Sequence, residues 1–274
     1  MSLLSTDAYR QLPVAQADAR ISYGALDVQF GDLYLPAGLN DDTLSPCVIL
    51  VHGGCWQAEY PLDGIAGAAR RLSDEGWIVW SIEYRALGSG GGWPETFLDV
   101  GAAFDFVRDL ASEYAIDLDH IAAVGHSAGG HLAAWAAGRH NLDPVSRVYF
   151  QDPLPISALL SLAGLVDLDL AITLGLCGDA PERLIHAAKS TQDRKDSSVV
   201  NLTPLSVPQV HLVGRQDPYV PESYVRAVAR DAQEKGEDVQ LEVLENCGHF
   251  EVAVPTGPAF DSVIAALRRL LDPN

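Results

Sequence analysis

Apolar runs and amphipathic stretches alternate along most of this chain. Val48-Ile-Leu-Val51 is continuously apolar, the pattern of a strand covered on both faces rather than one with a wet side. Strand-like runs fall at Cys47–His52, Trp77–Tyr84, Ile121–Gly125, Ser157–Ala163, Gln209–Gly214 and Val239–Leu244. Between or after them, helical patterns cover Leu62–Glu75, Glu95–Tyr114, Ala128–Arg139, Glu222–Lys235 and Ala259–Leu271. Strand and helix in regular alternation predict an α/β domain: a mostly parallel central sheet with crossover helices on both faces. Upstream, Ile21-Ser-Tyr-Gly and the partly alternating Leu26–Pro36 predict one or two antiparallel strands, followed by a mostly polar turn over Ala37–Pro46. Residues 1–20 carry no readable pattern.

One interval breaks the rhythm. Between the strands at Ser157–Ala163 and Gln209–Gly214 the connection runs to about forty residues, far beyond the usual few. Leu165–Leu174 and Pro181–Lys189 read as helical, and Ser190–Ser198 is polar and expected to be mobile. Residues 165–200 are therefore read as a small helical cap inserted in a single domain spanning 1–274. The alternative is a decorated crossover with no part in substrate access.

Composition narrows the class of function. The formal charge is −19, from 37 acidic against 18 basic residues. A field of that sign repels phosphate backbones and anionic lipid, so neither nucleic acid nor a membrane surface is an expected partner. A small-molecule substrate is, and a homodimer is compatible with the same surface. The apolar runs are too short to span a bilayer, and the first residues lack a basic stretch followed by an apolar one, so no signal peptide is read. Cys47, Cys55, Cys177 and Cys247 are scattered, with no CxxC pair. They read as free thiols in a reducing compartment, hence a cytoplasmic protein. No His or Cys pair has metal-ligand spacing, so no metal or cofactor is expected.

The chemistry is concentrated at three strand ends. Gly125-His126-Ser127-Ala128-Gly129-Gly130 follows an apolar strand and opens an alanine-rich helix, the context in which a G-x-S-x-G match is credible. Such a turn lifts the serine hydroxyl above the sheet and aims a helix N-terminus at it, so that the Ala128 N–H faces a developing oxyanion. His52-Gly53-Gly54-Cys55-Trp56 follows the strand ending at Val51. Its glycines turn N–H groups inward as a second set of oxyanion donors, Gly53 and Gly54. Cys55, Trp56 and His126 are candidate pocket residues, with core packing the competing reading for Trp56. A serine hydroxyl needs a base oriented by a carboxylate. Asp217 in Gly214-Arg-Gln-Asp-Pro and His249 in Cys247-Gly-His-Phe stand after the last two strands in the required order Ser, Asp, His.

With these residues in place the chain resembles the esterase and arylformamidase (kynurenine formamidase-like) branch of the α/β-hydrolases. The resemblance runs from Tyr23-Gly24 and Asp32-Leu-Tyr-Leu-Pro36 through His52–Trp56, Glu83-Tyr-Arg85, Gly92-Trp-Pro94, Gly125–His131 and Asp217 to Gly248-His-Phe250. It departs at Cys55, where hormone-sensitive-lipase-like esterases usually have a third glycine and kynurenine formamidases a tyrosine. The resemblance implies a cofactor-free hydrolase acting through an acyl-enzyme on small carboxylic esters, with aryl formamides as the alternative substrate. A non-catalytic ligand-binding relative of the same fold is the reading from outside enzymes; it predicts loss of a triad residue, and all three are present.

Overall fold

The structure, a computed structural model, describes residues 3–39 and 43–271. The centre of the polar turn at 37–46, residues 40–42, lies outside the described residues. Strands β1 (Ala19–Ser22), β2 (Phe30–Tyr34), β3 (Ser45–Val51), β4 (Ile78–Ile82), β5 (Ile116–His126), β6 (Ala158–Leu162), β7 (Gln209–Gly214) and β8 (Val239–Leu244) form one sheet. Their order is β1-β2-β4-β3-β5-β6-β7-β8. The first two strands pair antiparallel with each other, β2 pairs antiparallel with β4, and β4 to β8 are joined by parallel ladders.

The apolar runs form central strands because both faces of the sheet are covered. In β3, Cys47, Ile49 and Val51 enter one core while Val48 and Leu50 enter the other, the two-residue alternation of a pleated strand. Val48 to Val51 are each at most 1% exposed, and full burial of one such side chain is worth about 2 kcal/mol. Helices α1 (Thr6–Arg10) and α2 (Ala66–Asp74) precede β4; α3 (Glu95–Asp105) and α4 (Val107–Leu110) precede β5; α5 (Ala128–Gly138) follows it. Then come α6 (Leu168–Thr173), α7 (Ala180–Leu184), α8 (Thr191–Asp196), α9 (Glu222–Glu234) and α10 (Pro258–Leu271). Helices α2 and α10 cover the Val48 face, and α3, α5 and α9 the Ile49 face. The stretch expected as one helix over Glu95–Tyr114 divides at Phe106 into α3 and α4.

Every residue of α5 is buried, which explains its alanine content: one side packs on the sheet and the other is covered by the long insertion. There Trp135 Nε1 donates to Asp196 O at 2.8 Å, and a Cβ on Gly138 would lie 2.7 Å from Leu205. Ser190–Ser198 therefore differs from the mobile segment its polarity predicts. It holds α8, whose Ser190 and Asp193 form a reciprocal capping box. Asp196, Ser197 and Ser198 are buried against α5. The polar side chains are spent on capping and packing, a use that composition does not reveal. Among the described residues, no helix is long and apolar enough to cross a membrane.

Candidate active site

Parallel strands bring the loops after β3, β5, β7 and β8 to one edge of the sheet, and the sequence-predicted residues meet there. Between β5 and α5, Ser127 holds φ 55° and ψ −120°, a conformation costly for any residue with a side chain and kept only where its surroundings impose it. Those surroundings are backbone. A Cβ on Gly125 would lie 2.1 Å from Gly129 O, and one on Gly129 would lie 2.1 Å from Val51 O. Neither position admits a side chain, so the elbow requires both glycines. Ser127 donates its N–H to Leu162 O at 2.9 Å and lines a cavity of about 530 Å³.

His249 lines the same cavity, and Asp217 stands behind it. His249 Nδ1 lies 2.7 Å from Asp217 Oδ2. The other carboxylate oxygen, Oδ1, accepts the N–H groups of Tyr219 and Val220, each at 2.8 Å. With Asp217 anchored through one oxygen, the other accepts a hydrogen bond from Nδ1–H of His249 and so orients the imidazole, which leaves Nε2 as the nitrogen with a free lone pair. His126 packs beside it, ring centroids 4.6 Å apart, and donates from Nε2 to His249 O at 2.9 Å. Burial, reinforced by the neighbouring His249, pushes His126 down to about 3, so it stands neutral at the site.

Gly53 completes the floor. A Cβ there would lie 2.9 Å from Ser127 Cβ and 2.8 Å from His126 O, so the chain passes closer to the serine than any side chain would permit. Gly54 has φ 105°. Among the described residues, nothing accepts a hydrogen bond from the N–H groups of Gly53, Gly54 or Ala128. Beneath this loop, His52 is clamped: Nε2 contacts Glu83 Oε1 at 2.9 Å, Nδ1 contacts Gly53 O at 2.8 Å, and the ring stacks on Tyr84. Glu83 also accepts the N–H groups of Leu62 and Tyr84, each at 3.0 Å. The arrangement can deliver a hydroxyl nucleophile, a base and a set of N–H donors to one carbonyl.

Two sequence expectations are corrected here. Trp56 does not face the pocket: it is fully buried and meets His131 edge-on at 5.6 Å. Cys55 and Trp56 both have positive φ, 51° and 56°, and the turn they make sends the indole under the loop into the core. Cys55 does line the pocket, but as half of a disulfide with Cys177, 122 residues away. The expectation of four free thiols holds only for the buried Cys47 and Cys247. Spacing along the chain could not show that the insertion brings Cys177 back to the glycine loop after β3.

Sequence reasoning quoted Glu83 only within the family resemblance, with no role, and did not reach the N-terminal segment. Glu83 had a signal, a carboxylate directly after the apolar strand β4 at the edge where the site forms. The N-terminal segment had none. Thr6 and Tyr9 line the cavity, yet α1 is a five-residue helix with no buried residue, too short for periodicity to register.

Among known proteins, the chain is similar to several named as esterases. The probable carboxylic ester hydrolase LipM of Mycobacterium tuberculosis is 28% identical over 225 residues, which are 76% of this chain and 50% of LipM. Kynurenine formamidase of Danio rerio is 26% identical over 59% of each chain. The chain spans about half the length of the mycobacterial relative. Esterase B from Lactobacillus rhamnosis superposes with a TM-score of 0.82 at 18% identity, over 96% of this chain and 89% of that one. The fold is that of the α/β-hydrolases. The BD-FAE family model matches residues 31–229, an interval that runs from β2 through the glycine loop after β3, the elbow and Asp217, and the chain therefore belongs to the BD-FAE family.

Proposed function

We propose that the protein is a serine carboxylesterase for small carboxylic esters, with Ser127 as nucleophile, His249 as base and Asp217 as the group that orients it. The observation carrying this reading is the convergence of the Asp217–His249 pair, 2.7 Å apart, and the strained Ser127 on one cavity floored by Gly53. Ser127 Oγ attacks the ester carbonyl while His249 Nε2 takes its proton. The N–H groups of Gly53, Gly54 and Ala128 stabilise the oxyanion, each donor worth about 2.7–4 kcal/mol in the barrier. His249 then gives the proton to the departing alcohol. Water, deprotonated by the same nitrogen, cleaves the acyl-enzyme and restores Ser127.

Residues 165–200 serve in this reading as the inserted cap of a single domain, covering α5 and bordering the pocket at Cys177. The strongly acidic surface disfavours nucleic acid as a partner. The cytoplasmic placement expected from scattered thiols loses that support, because a Cys55–Cys177 disulfide favours an oxidising compartment.

A second reading, hydrolysis of an aryl formamide, is favoured by the similarity to kynurenine formamidase. The test is kcat/KM for p-nitrophenyl acetate and for N-formylkynurenine on one preparation, with Ser127→Ala alongside. Ser127→Ala is expected to lose at least about 10⁴-fold of the activity; turnover at the wild-type rate would refute the proposal. A formamide preferred by orders of magnitude selects the second reading.

A further inference from the structure

Resting on the esterase reading, we propose that the N-terminal segment, residues 3–14, roofs the substrate pocket and that Tyr9 sets the size of the uncharged apolar group the enzyme accepts. The segment is tied to the site loops by specific contacts. Leu4 N–H donates to Glu251 Oε1 at 2.6 Å, and the Thr6 and Tyr219 hydroxyls lie 2.8 Å apart. The Tyr9 ring stacks on Phe250 with centroids 4.6 Å apart, and Arg10 lies over the ring of Tyr60 at 5.0 Å. The segment thus touches the loop that carries His249, the loop that carries Asp217 and the extension of the oxyanion loop.

What it encloses is apolar. With Ser127, the lining includes Tyr9, Leu12, Ile65, Ala68, Val254 and Pro255. Two glycines, one just before α2 and one within it, also line this space and lie close to its walls. A Cβ on Gly64 would meet Tyr9 Cε1 at 3.6 Å, and one on Gly67 would meet Pro255 Cγ at 3.1 Å. The charged groups of the lining, Arg10, Glu59 and Asp63, belong to exposed residues. An alkyl or ring group entering here leaves water without stranding a charge, whereas a carboxylate or ammonium held among these apolar groups loses its hydration and meets a counter-charge only at the exposed Arg10, Glu59 and Asp63. The Tyr9 hydroxyl makes no hydrogen bond among the described residues, so the ring, not the hydroxyl, forms the wall.

The test is an ester series of increasing length, p-nitrophenyl acetate to octanoate and methyl to octyl acetate. It is run on the wild type, Tyr9→Ala, Tyr9→Phe and Gly64→Ala, with a small fluorophosphonate to count active serines. Tyr9→Ala is expected to raise the long-to-short ratio of kcat/KM about tenfold in at least one series. Tyr9→Phe should leave the ratios unchanged. Gly64→Ala, whose added methyl meets Tyr9 without a clash, should lower them. Labelled, active variants with wild-type ratios in both series overturn the inference and leave the esterase reading intact. A wild type that neither labels nor hydrolyses any ester overturns the esterase reading and the subsite with it.

Discussion

His52 and Glu83 hold the glycine loop after β3 through a buried pair in which two opposing effects compete. Burial alone would push the His52 imidazole down, but the Glu83 charge and hydrogen bond, with Gly53 O, carry it above its ordinary value. Burial would raise Glu83; His52 and the N–H groups of Tyr84 and Leu62 bring it below the usual carboxylate range. The raised histidine adds stability that is full below its unfolded value and is lost as pH rises through the folded one. The depressed carboxylate adds stability that is present above its unfolded value and is lost as pH falls through the folded one. The pair therefore supports the loop best between those limits. Removing one partner leaves the other buried and unmatched, so Glu83→Ala should cost about 3–5 kcal/mol in urea unfolding. Because the loop carries the proposed Gly53 and Gly54 donors, kcat should fall while KM changes little. Loss of stability with kcat intact would show that Glu83 supports the fold and not the oxyanion site.

At the scale of elements, the disulfide joins the loop after β3 to the turn between α6 and α7 across 122 residues. A cross-link closing a loop of that order restricts the unfolded chain by up to about 4.7 kcal/mol. Reduction by a dithiol, or the double change Cys55→Ser and Cys177→Ser, is expected to lower the Tm by several degrees. Cys47→Ala should respond to reductant as the wild type does. A Tm indifferent to reductant in the wild type would count against the cross-link as a stabilising element. The same scale explains what periodicity reads well and badly here. Central strands announce themselves because both faces are buried. Short helices such as α1 and α8 do not, since their partners lie far away in sequence.

For the whole molecule, three buried histidines without a charged partner, His126, His131 and His211, weaken the fold in acid. His126 is pushed down to about 3 by burial and then by His249, and burial takes His131 and His211 down to about 4. In the unfolded chain each takes up a proton near pH 6.5. The unfolded state therefore binds more protons than the folded state from about pH 6.5 down to about 4, and stability falls as pH drops through that window. Each histidine contributes a slope of up to about 1.4 kcal/mol per pH unit. Unfolding free energies measured from pH 8 to 4 should be highest near neutrality and decline below pH 6.5. Replacing His211, which lies within β7 away from the site, by Gln should flatten the decline without touching activity. An unchanged slope in that variant would mean His211 is protonated in the folded protein.

The layered α/β architecture, the glycine elbow, the order of Ser127, Asp217 and His249, and the glycine loop after β3 were all legible in the chain. They depend on local rules: a two-faced strand must be apolar throughout, and a strand-to-helix turn as tight as this one excludes side chains at Gly125 and Gly129. The disulfide between Cys55 and Cys177, the inward turn of Trp56, the clamp of Glu83 on His52 and the roof formed by Tyr9 were decided by tertiary structure alone. Each depends on where the sheet edge brings segments that are distant in sequence, and neither spacing nor composition encodes that distance.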